Sequence, residues 1–205
     1  CSTAGEMGLN DTGLILEIVD RVVANHSIDE SRVYLTGWSN GCSLSQKLAN
    51  DHSDVFAAVA CMSYYLLEDP SPDYSPIPIM EIHGLEDQII LYSNDAIHLP
   101  NMDAQKHGAI QNLQQWGNMN GCGDKAPDSN SPSVFYSVQS FTDCDNGTEV
   151  SLVTLYAADH NPYEEGIGVF VGNGGTVDTN GIAWEFLSRF SKEVDLNGTS
   201  SSTTA

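Results

Sequence analysis

The residues with the clearest chemical potential are a serine, an aspartate and a histidine, each at a break after an apolar run. Ser39 lies at the centre of the stretch 37–41, which reads Gly-Trp-Ser-Asn-Gly and so has the form Gly-x-Ser-x-Gly. Asp87 and His160 follow it in that order. A serine hydroxyl becomes a useful nucleophile when a histidine accepts its proton and a carboxylate orients that histidine. The three residue types in this order therefore predict nucleophilic attack on a carbonyl carbon.

The serine lies between a predicted strand and a predicted helix. Residues 33–36 are β-branched, aromatic or aliphatic, and Leu44 and Leu48 fall on one face at helical spacing. A serine on a sharp strand-to-helix turn is a nucleophile elbow. We attribute the glycines at positions 37 and 41 to the crowded turn, where the absence of a side chain leaves room for neighbouring backbone. The alternative is a turn serine without a chemical role.

Two further apolar segments, 77–83 and 149–156, predict strands that end shortly before Asp87 and His160. In an open α/β sheet the carboxyl ends of the strands form the edge where active sites lie. Glu86 and Asp95 remain alternatives for the acid. The alternatives for the base are the other histidines, His26, His52, His83, His98 and His107.

The remaining patterns predict a single α/β domain over residues 1–192. A Ser/Thr-rich tail or linker covers 193–205. The predicted helices cover 12–25, 103–120 and 178–191, the other strands cover 54–62 and 133–141, and a glycine-rich loop covers 162–176.

The chain is strongly acidic, with 7 basic against 28 acidic residues and a formal net charge of −21. This charge argues against nucleic acid and anionic membrane surfaces as partners. No apolar run approaches the ~20 residues that cross a bilayer. The acidic run 143–149 could bind calcium, but its spacing is not that of an EF-hand. We therefore predict neither a metal nor a cofactor.

Three stretches together resemble the secreted α/β-hydrolase esterases of the polyhydroxybutyrate depolymerase and feruloyl esterase group. They are 33–41, 79–87 and the strand that runs into His160, and 183–187 is similar to the closing helix of that family. The similarity spans about 13–190. It implies the three-layer α/β-hydrolase fold, with a mostly parallel central sheet between layers of helices.

The resemblance also implies roles for single residues. Ser39 would be the nucleophile, Asp87 the orienting acid and His160 the base, and the backbone N–H of Asn40 would bind the oxyanion. The family places several strands and a second oxyanion donor before its nucleophile, but here the first predicted strand already leads into Ser39. We therefore expect the first strands of the fold to be missing from this chain.

Substrate contacts are expected from Trp38 and Tyr163. Both are also candidates for ordinary packing at the rim of the domain. The family usually has a Trp-Pro-Gly-like run soon after its histidine, where this chain has Asn-Pro-Tyr at 161–163. Since those residues line the substrate cleft in the family, the difference does not indicate which ester of the family this chain binds.

The cysteines and glycosylation sequons favour an oxidising compartment. Cys122 and Cys144 resemble a disulfide of the family, with separate buried thiols as the alternative. Cys1, Cys42 and Cys61 are left without assigned partners. Sequons occur at Asn10, Asn25, Asn146 and Asn197. We expect a secreted glycoprotein.

Together these features predict a serine carboxylester hydrolase that acts through an acyl-enzyme on polymeric or plant-derived esters. The candidate substrates are polyhydroxyalkanoate, feruloyl and acetyl esters. One alternative is a serine peptidase or other acyl hydrolase of the same fold, because a triad does not choose between ester and amide. The other alternative is an inactive, polymer-binding module.

Overall fold

The computed structural model describes residues 7–93, 108–123, 126–160, 169–170 and 176–192. The helices are α1 (Asp11–Asn25), α2 (Asn40–Asp51), α3 (Ala109–Met119) and α4 (Thr179–Leu187). The strands are β1 (Tyr34–Trp38), β2 (Ala58–Met62), β3 (Ile79–Gly84), β4 (Ser129–Pro132), β5 (Tyr136–Phe141), β6 (Val150–Leu155), β7 (Val169–Phe170) and β8 (Thr176–Val177). Within these ranges, no helix combines the length and apolar character that crossing a membrane requires.

Six strands form one sheet in the order β1-β2-β3-β6-β5-β4. The first four are parallel, while β5 pairs antiparallel with both β6 and β4. β2, β3 and β6 are buried along their whole length, as expected for parallel strands covered on both faces. The prediction of a mostly parallel central sheet is confirmed.

Helices cover both faces of this sheet. Side chains alternate between the faces along each strand, so each face carries its own apolar cluster. On one face Val59 and Leu152 share a cluster with Leu48 of α2 and Trp116 of α3. On the other face, the cluster contains residues of β2, β3 and β6 together with Phe186 of α4. The described residues therefore form the three layers that the sequence predicted.

The sequence misplaced some element boundaries. The strand expected over 54–62 begins only at Ala58, and the strand expected over 133–141 begins at Tyr136. β4 was not predicted because its residues are polar and end in a proline; the hydrogen bonds of β5 hold it in the sheet. The loop expected over 162–176 is wrong in part, because β7 pairs with β8.

Two disulfides connect the described part of the chain. The predicted bridge between Cys122 and Cys144 is confirmed. Cys42 and Cys61, which the sequence left without partners, are joined to each other. This second bridge ties the first turn of α2 to β2, directly behind the turn that carries Ser39. Cys1 lies outside the described residues.

Candidate active site

The topology brings the three predicted residues to one edge of the sheet. Ser39 follows β1 directly, Asp87 follows β3 after two intervening residues, and His160 follows β6 after four. β1, β3 and β6 all belong to the parallel part of the sheet, so their carboxyl ends face the same way. The predicted placement of all three residues past strand ends is confirmed.

Ser39 has the backbone strain expected at an elbow. Its φ of 53° and ψ of −121° are unusual for a residue with a side chain. It is the N-cap of α2, yet its side chain does not cap the helix; its backbone N–H donates to the Met62 carbonyl at 2.8 Å. The turn thus directs the hydroxyl away from the helix that it begins.

The two glycines of the elbow have different reasons. A Cβ on Gly37 would lie 2.4 Å from the carbonyl carbon and oxygen of Gly41, so any side chain there would collide with backbone. A Cβ on Gly41 would meet nothing within 4 Å. The expectation that both glycines make room by lacking a side chain is right for Gly37 and wrong for Gly41, whose backbone is the neighbour that Gly37 must accommodate.

Ser39, His160 and Asp87 form a hydrogen-bonded series. His160 Nδ1 lies 2.7 Å from Asp87 Oδ2, and His160 Nε2 lies 2.9 Å from Ser39 Oγ. When Nδ1–H donates to the carboxylate, Nε2 is left to accept the serine proton, which is the tautomer that a general base requires. Of the alternative acids, Glu86 is exposed and Asp95 lies outside the described residues.

Asp87 is buried and well supplied with donors. Its Oδ1 accepts the backbone N–H groups of Ile89 at 2.9 Å and Ile90 at 2.8 Å. Burial raises the pKa of this carboxyl, but hydrogen bonds from His83, His160 and the two amides outweigh burial and bring the pKa below its ordinary value. Asp87 is therefore ionised at neutral pH and fixed in orientation.

A close backbone contact sets the distance between the loops of Asp87 and His160. A Cβ on Gly84, the last residue of β3, would lie 2.3 Å from the carbonyl oxygen of Ala158 and 2.8 Å from that of Asp159. The Glu86 N–H donates to the same Ala158 oxygen at 3.0 Å. The absence of a side chain at Gly84 thus lets the two loops pack directly against each other.

The predicted substrate contacts are only partly described. Trp38 is 36% exposed, and its ring centroid lies 5.1 Å from that of His160 with the planes inclined by 38°. Asn40 is the first residue of α2, next to Ser39. Tyr163 lies outside the described residues. In the described part of the chain, no cluster of three His, Cys, Asp or Glu side chains could hold a metal ion.

Sequence reasoning missed a second buried histidine beside the site. His83 and Glu81 project from the buried strand β3, and His83 Nε2 lies 3.4 Å from Asp87 Oδ2. The signal was available, because two ionisable residues in an otherwise apolar buried strand need partners inside the protein. The sequence analysis considered His83 only as an alternative for the base.

The chain is similar to known esterases. A family model described as Esterase PHB depolymerase matches residues 2–145, which is more than half of the chain. Feruloyl esterase B of Piromyces equi is 23% identical over 188 residues, 89% of this chain and 32% of the relative. The bifunctional acetylxylan esterase/xylanase XynS20E of Neocallimastix patriciarum is 26% identical over 161 residues, 78% of this chain and 22% of the relative.

A shorter match joins the chain to a polyester-degrading enzyme. Poly(3-hydroxyalkanoate) depolymerase C of Paucimonas lemoignei is 50% identical over 46 residues, 22% of this chain and 11% of the relative. The chain thus spans about a third or less of the length of these curated relatives.

A solved structure supports the fold. The acetyl xylan esterase from Aspergillus awamori superposes with a TM-score of 0.59 at 14% identity, covering 86% of this chain and 66% of that one. Both the predicted resemblance and the predicted α/β-hydrolase type of fold are confirmed.

Proposed function

Because the chain belongs to the Esterase PHB depolymerase family, we propose that it hydrolyses carboxylic esters through an acyl-enzyme formed on Ser39. The observation that carries the proposal is the hydrogen-bonded series from Ser39 through His160 to Asp87 at the carboxyl edge of the sheet. A strained elbow serine, a histidine in reach of its hydroxyl and a buried carboxylate behind that histidine are the parts that acyl transfer needs.

In the first half of the reaction, Ser39 Oγ forms a bond to the carbonyl carbon while its proton moves to His160 Nε2. Asp87 holds the imidazole by Nδ1 and stabilises the imidazolium. The tetrahedral intermediate then expels the alcohol, which takes the proton from His160. Water repeats the sequence on the acyl-enzyme, with His160 again as base, and releases the acid.

The developing oxyanion needs donors that are already in place. We assign one to the backbone N–H of Asn40, because it follows the nucleophile and opens α2, where the helix dipole favours negative charge. Loss of one such donor typically slows an acyl transfer by about 100- to 1000-fold.

The substrate class follows from the relatives and from one exposed ring. The relatives carry the names feruloyl esterase, acetylxylan esterase and poly(3-hydroxyalkanoate) depolymerase, so we assign polymeric or plant-derived esters to this chain as well. Trp38 offers a half-exposed aromatic face beside His160, where it can contact the group that enters the site. Tyr163 is the second proposed contact.

We place this reaction outside the cell, in a catalytic domain over 1–192 followed by a linker over 193–205. Two disulfides are typical of proteins that mature in an oxidising compartment. The net charge of −21 disfavours nucleic acid and anionic membrane surfaces as partners. The partner that we propose is the ester substrate.

The test is labelling by a fluorophosphonate probe, followed by an ester panel. Wild type and Ser39→Ala are compared in the full-length protein, with Ser43→Ala as matched control because Ser43 lies one turn further along α2. Wild type and the control should label, and Ser39→Ala should not. The panel then compares methyl ferulate, acetylated xylan and 3-hydroxybutyrate oligomers, beside peptide substrates.

Each alternative has its own outcome. Labelling together with cleavage of peptides but not esters would make the protein a serine peptidase. A folded wild type that does not label would contradict the proposal and favour a polymer-binding module. Labelling that persists in Ser39→Ala would place the nucleophile elsewhere.

A further inference from the structure

The hydrogen bonds of the site do not end at Asp87. His83, with no exposed surface, lies behind Asp87; its Nε2 is 2.7 Å from the Ile90 carbonyl oxygen and 3.4 Å from Asp87 Oδ2. Its Nδ1 is 2.6 Å from Oε1 of Glu81, which is also buried. A buried histidine thus connects the turn that carries Asp87 to a second buried carboxyl group.

The far end of this chain of contacts is anchored in helix α3. Asn112 Nδ2 donates to Oε2 of Glu81 at 2.5 Å, and Asn112 Oδ1 accepts the backbone N–H of Leu66 at 3.0 Å. Both oxygens of Glu81 and both ring nitrogens of His83 therefore have partners. A buried polar network in which every group has a hydrogen-bond partner is rigid, so the positions of these side chains are fixed.

The partners also determine where the protons are. The Ile90 carbonyl can only accept, so Nε2 of His83 carries a proton. Burial lowers the pKa of His83, but its bonds to Asp87 and Glu81 raise it to about 9. Burial outweighs the hydrogen bonds from His83 and Asn112 and raises the pKa of Glu81 above its ordinary value. A carboxyl oxygen of Glu81 lies 2.6 Å from Nδ1 and one of Asp87 lies 3.4 Å from Nε2, so acceptors face both ring nitrogens. On this geometry we assign an imidazolium on His83 and a carboxylate on Glu81.

The aromatic neighbours of His83 add no charge. Tyr65, between β2 and β3, stacks on the ring with centroids 6.1 Å apart, and Tyr92, beyond the Asp87 turn, meets it edge-on at 5.7 Å. Burial raises the pKa of both phenols, so both are neutral at neutral pH. Among the residues that the structure describes, the charges that face His83 are those of Glu81 and Asp87.

We propose that His83, as an imidazolium held by Glu81, is a positioning residue that fixes Asp87 and its turn against His160. The proposal rests on the proposed function, since it concerns the same reaction. His83 does not touch the substrate and transfers no proton in the mechanism. It fixes the Ile90 end of the turn whose amides bind Asp87, and its positive charge keeps Asp87 ionised.

Two variants of His83 separate its hydrogen bonds. His83→Gln places an amide nitrogen near the position of Nε2, whereas His83→Asn places one near Nδ1 and leaves the Ile90 carbonyl without a donor. We expect kcat to fall about tenfold in His83→Asn, the size of one lost charge-assisted hydrogen bond. The fall in His83→Gln should be smaller, and KM should stay unchanged in both. His26→Gln, on the surface, is the matched control.

The pH profile reports the lost charge. Without the imidazolium, the negative charge of Asp87 acts on His160 with less compensation and favours the protonated form of that base. The acidic limb of kcat/KM in His83→Gln should therefore move to higher pH by about half a unit. If His83→Gln leaves Glu81 uncompensated and does not fold, the double variant Glu81→Gln/His83→Gln removes both charges. It should show a smaller shift in the same direction, since His83 is the member of the pair that lies against Asp87.

A spectroscopic signature tests the protonation directly. In protein with ¹⁵N-labelled histidine, both ring nitrogens of His83 should carry protons at pH 7.5. A single protonated nitrogen on His83 would overturn the imidazolium. Losses confined to the folded fraction, with kcat per folded molecule and the acidic limb unchanged, would show a merely structural role. Either of these results, in a wild type that labels at Ser39, refutes this inference alone, whereas an unlabelled, folded wild type refutes both proposals.

Discussion

Gly84→Ala tests whether the contact between the Asp87 and His160 loops sets the distance between His160 Nδ1 and Asp87 Oδ2. The added methyl would lie 2.3 Å from the Ala158 carbonyl oxygen, whereas ordinary contacts begin near 3.4 Å. The two loops must therefore separate by about 1 Å, because the opposing atoms are backbone rather than the end of a flexible side chain. Gly84 does not have a positive φ, so the effect is steric and not conformational.

The magnitude follows from this displacement. His160 lies two residues after Ala158 and bonds Asp87 Oδ2 at 2.7 Å, so a shift of about 1 Å stretches that bond beyond useful length. A misplacement of this size costs a reaction about 100-fold, or about 2.7 kcal/mol in the barrier. Overpacking should lower the free energy of unfolding by about 1–3 kcal/mol as well.

The assay is ester hydrolysis per folded molecule, with thermal unfolding measured in parallel. Gln88→Ala, an exposed change in the same turn, is the matched control and should retain wild-type stability. A wild-type kcat/KM in Gly84→Ala would refute the reasoning. So would a loss that disappears after correction for the folded fraction, because the displacement would then not reach the chemistry.

Two further predictions concern the elbow and the bridge behind it. Gly37→Ala should lower the free energy of unfolding by about 3 kcal/mol or more, because the added methyl collides with Gly41. Gly41→Ala should leave that free energy unchanged or raise it by up to about 1 kcal/mol, since its Cβ is unobstructed in a helical turn. Urea unfolding measures both variants, and equal losses would contradict the steric argument. Replacing Cys42 and Cys61 together by Ala should cost about 3 kcal/mol, the loop entropy of a 19-residue separation; an unchanged urea midpoint would contradict it.

The sequence was sufficient for those features that local pattern and chain order determine. Ser39 could be predicted because strand, glycine turn and helix are consecutive in the chain. Asp87 and His160 could be predicted because each follows an apolar strand, and parallel strands bring such positions to one edge. The disulfide between Cys122 and Cys144 came from the family resemblance.

The contacts that escaped prediction depend on packing between distant segments. The bridge from Cys42 to Cys61 needs the parallel register of β1 and β2, in which Gly37 lies opposite Cys61. β4 has no strand pattern of its own and depends on the hydrogen bonds of β5. For Gly84 the reason is the approach of Ala158, a contact that becomes visible only once β3 and β6 are paired.

The buried pair Glu81 and His83 shows how the net charge bears on the site. Carboxylates outnumber cationic side chains fourfold in this chain, and the ion pairs of Lys47 and Arg189 lie at the surface. A buried carboxylate needs a cation or several donors, because desolvation of an isolated charge costs more than folding can supply. Histidine meets that need beside Asp87, since a ring with two donors can connect two carboxyl groups within one strand and the turn that follows it. Under this proposal, Glu81 and His83 of β3 keep Asp87 ionised and hold it in position.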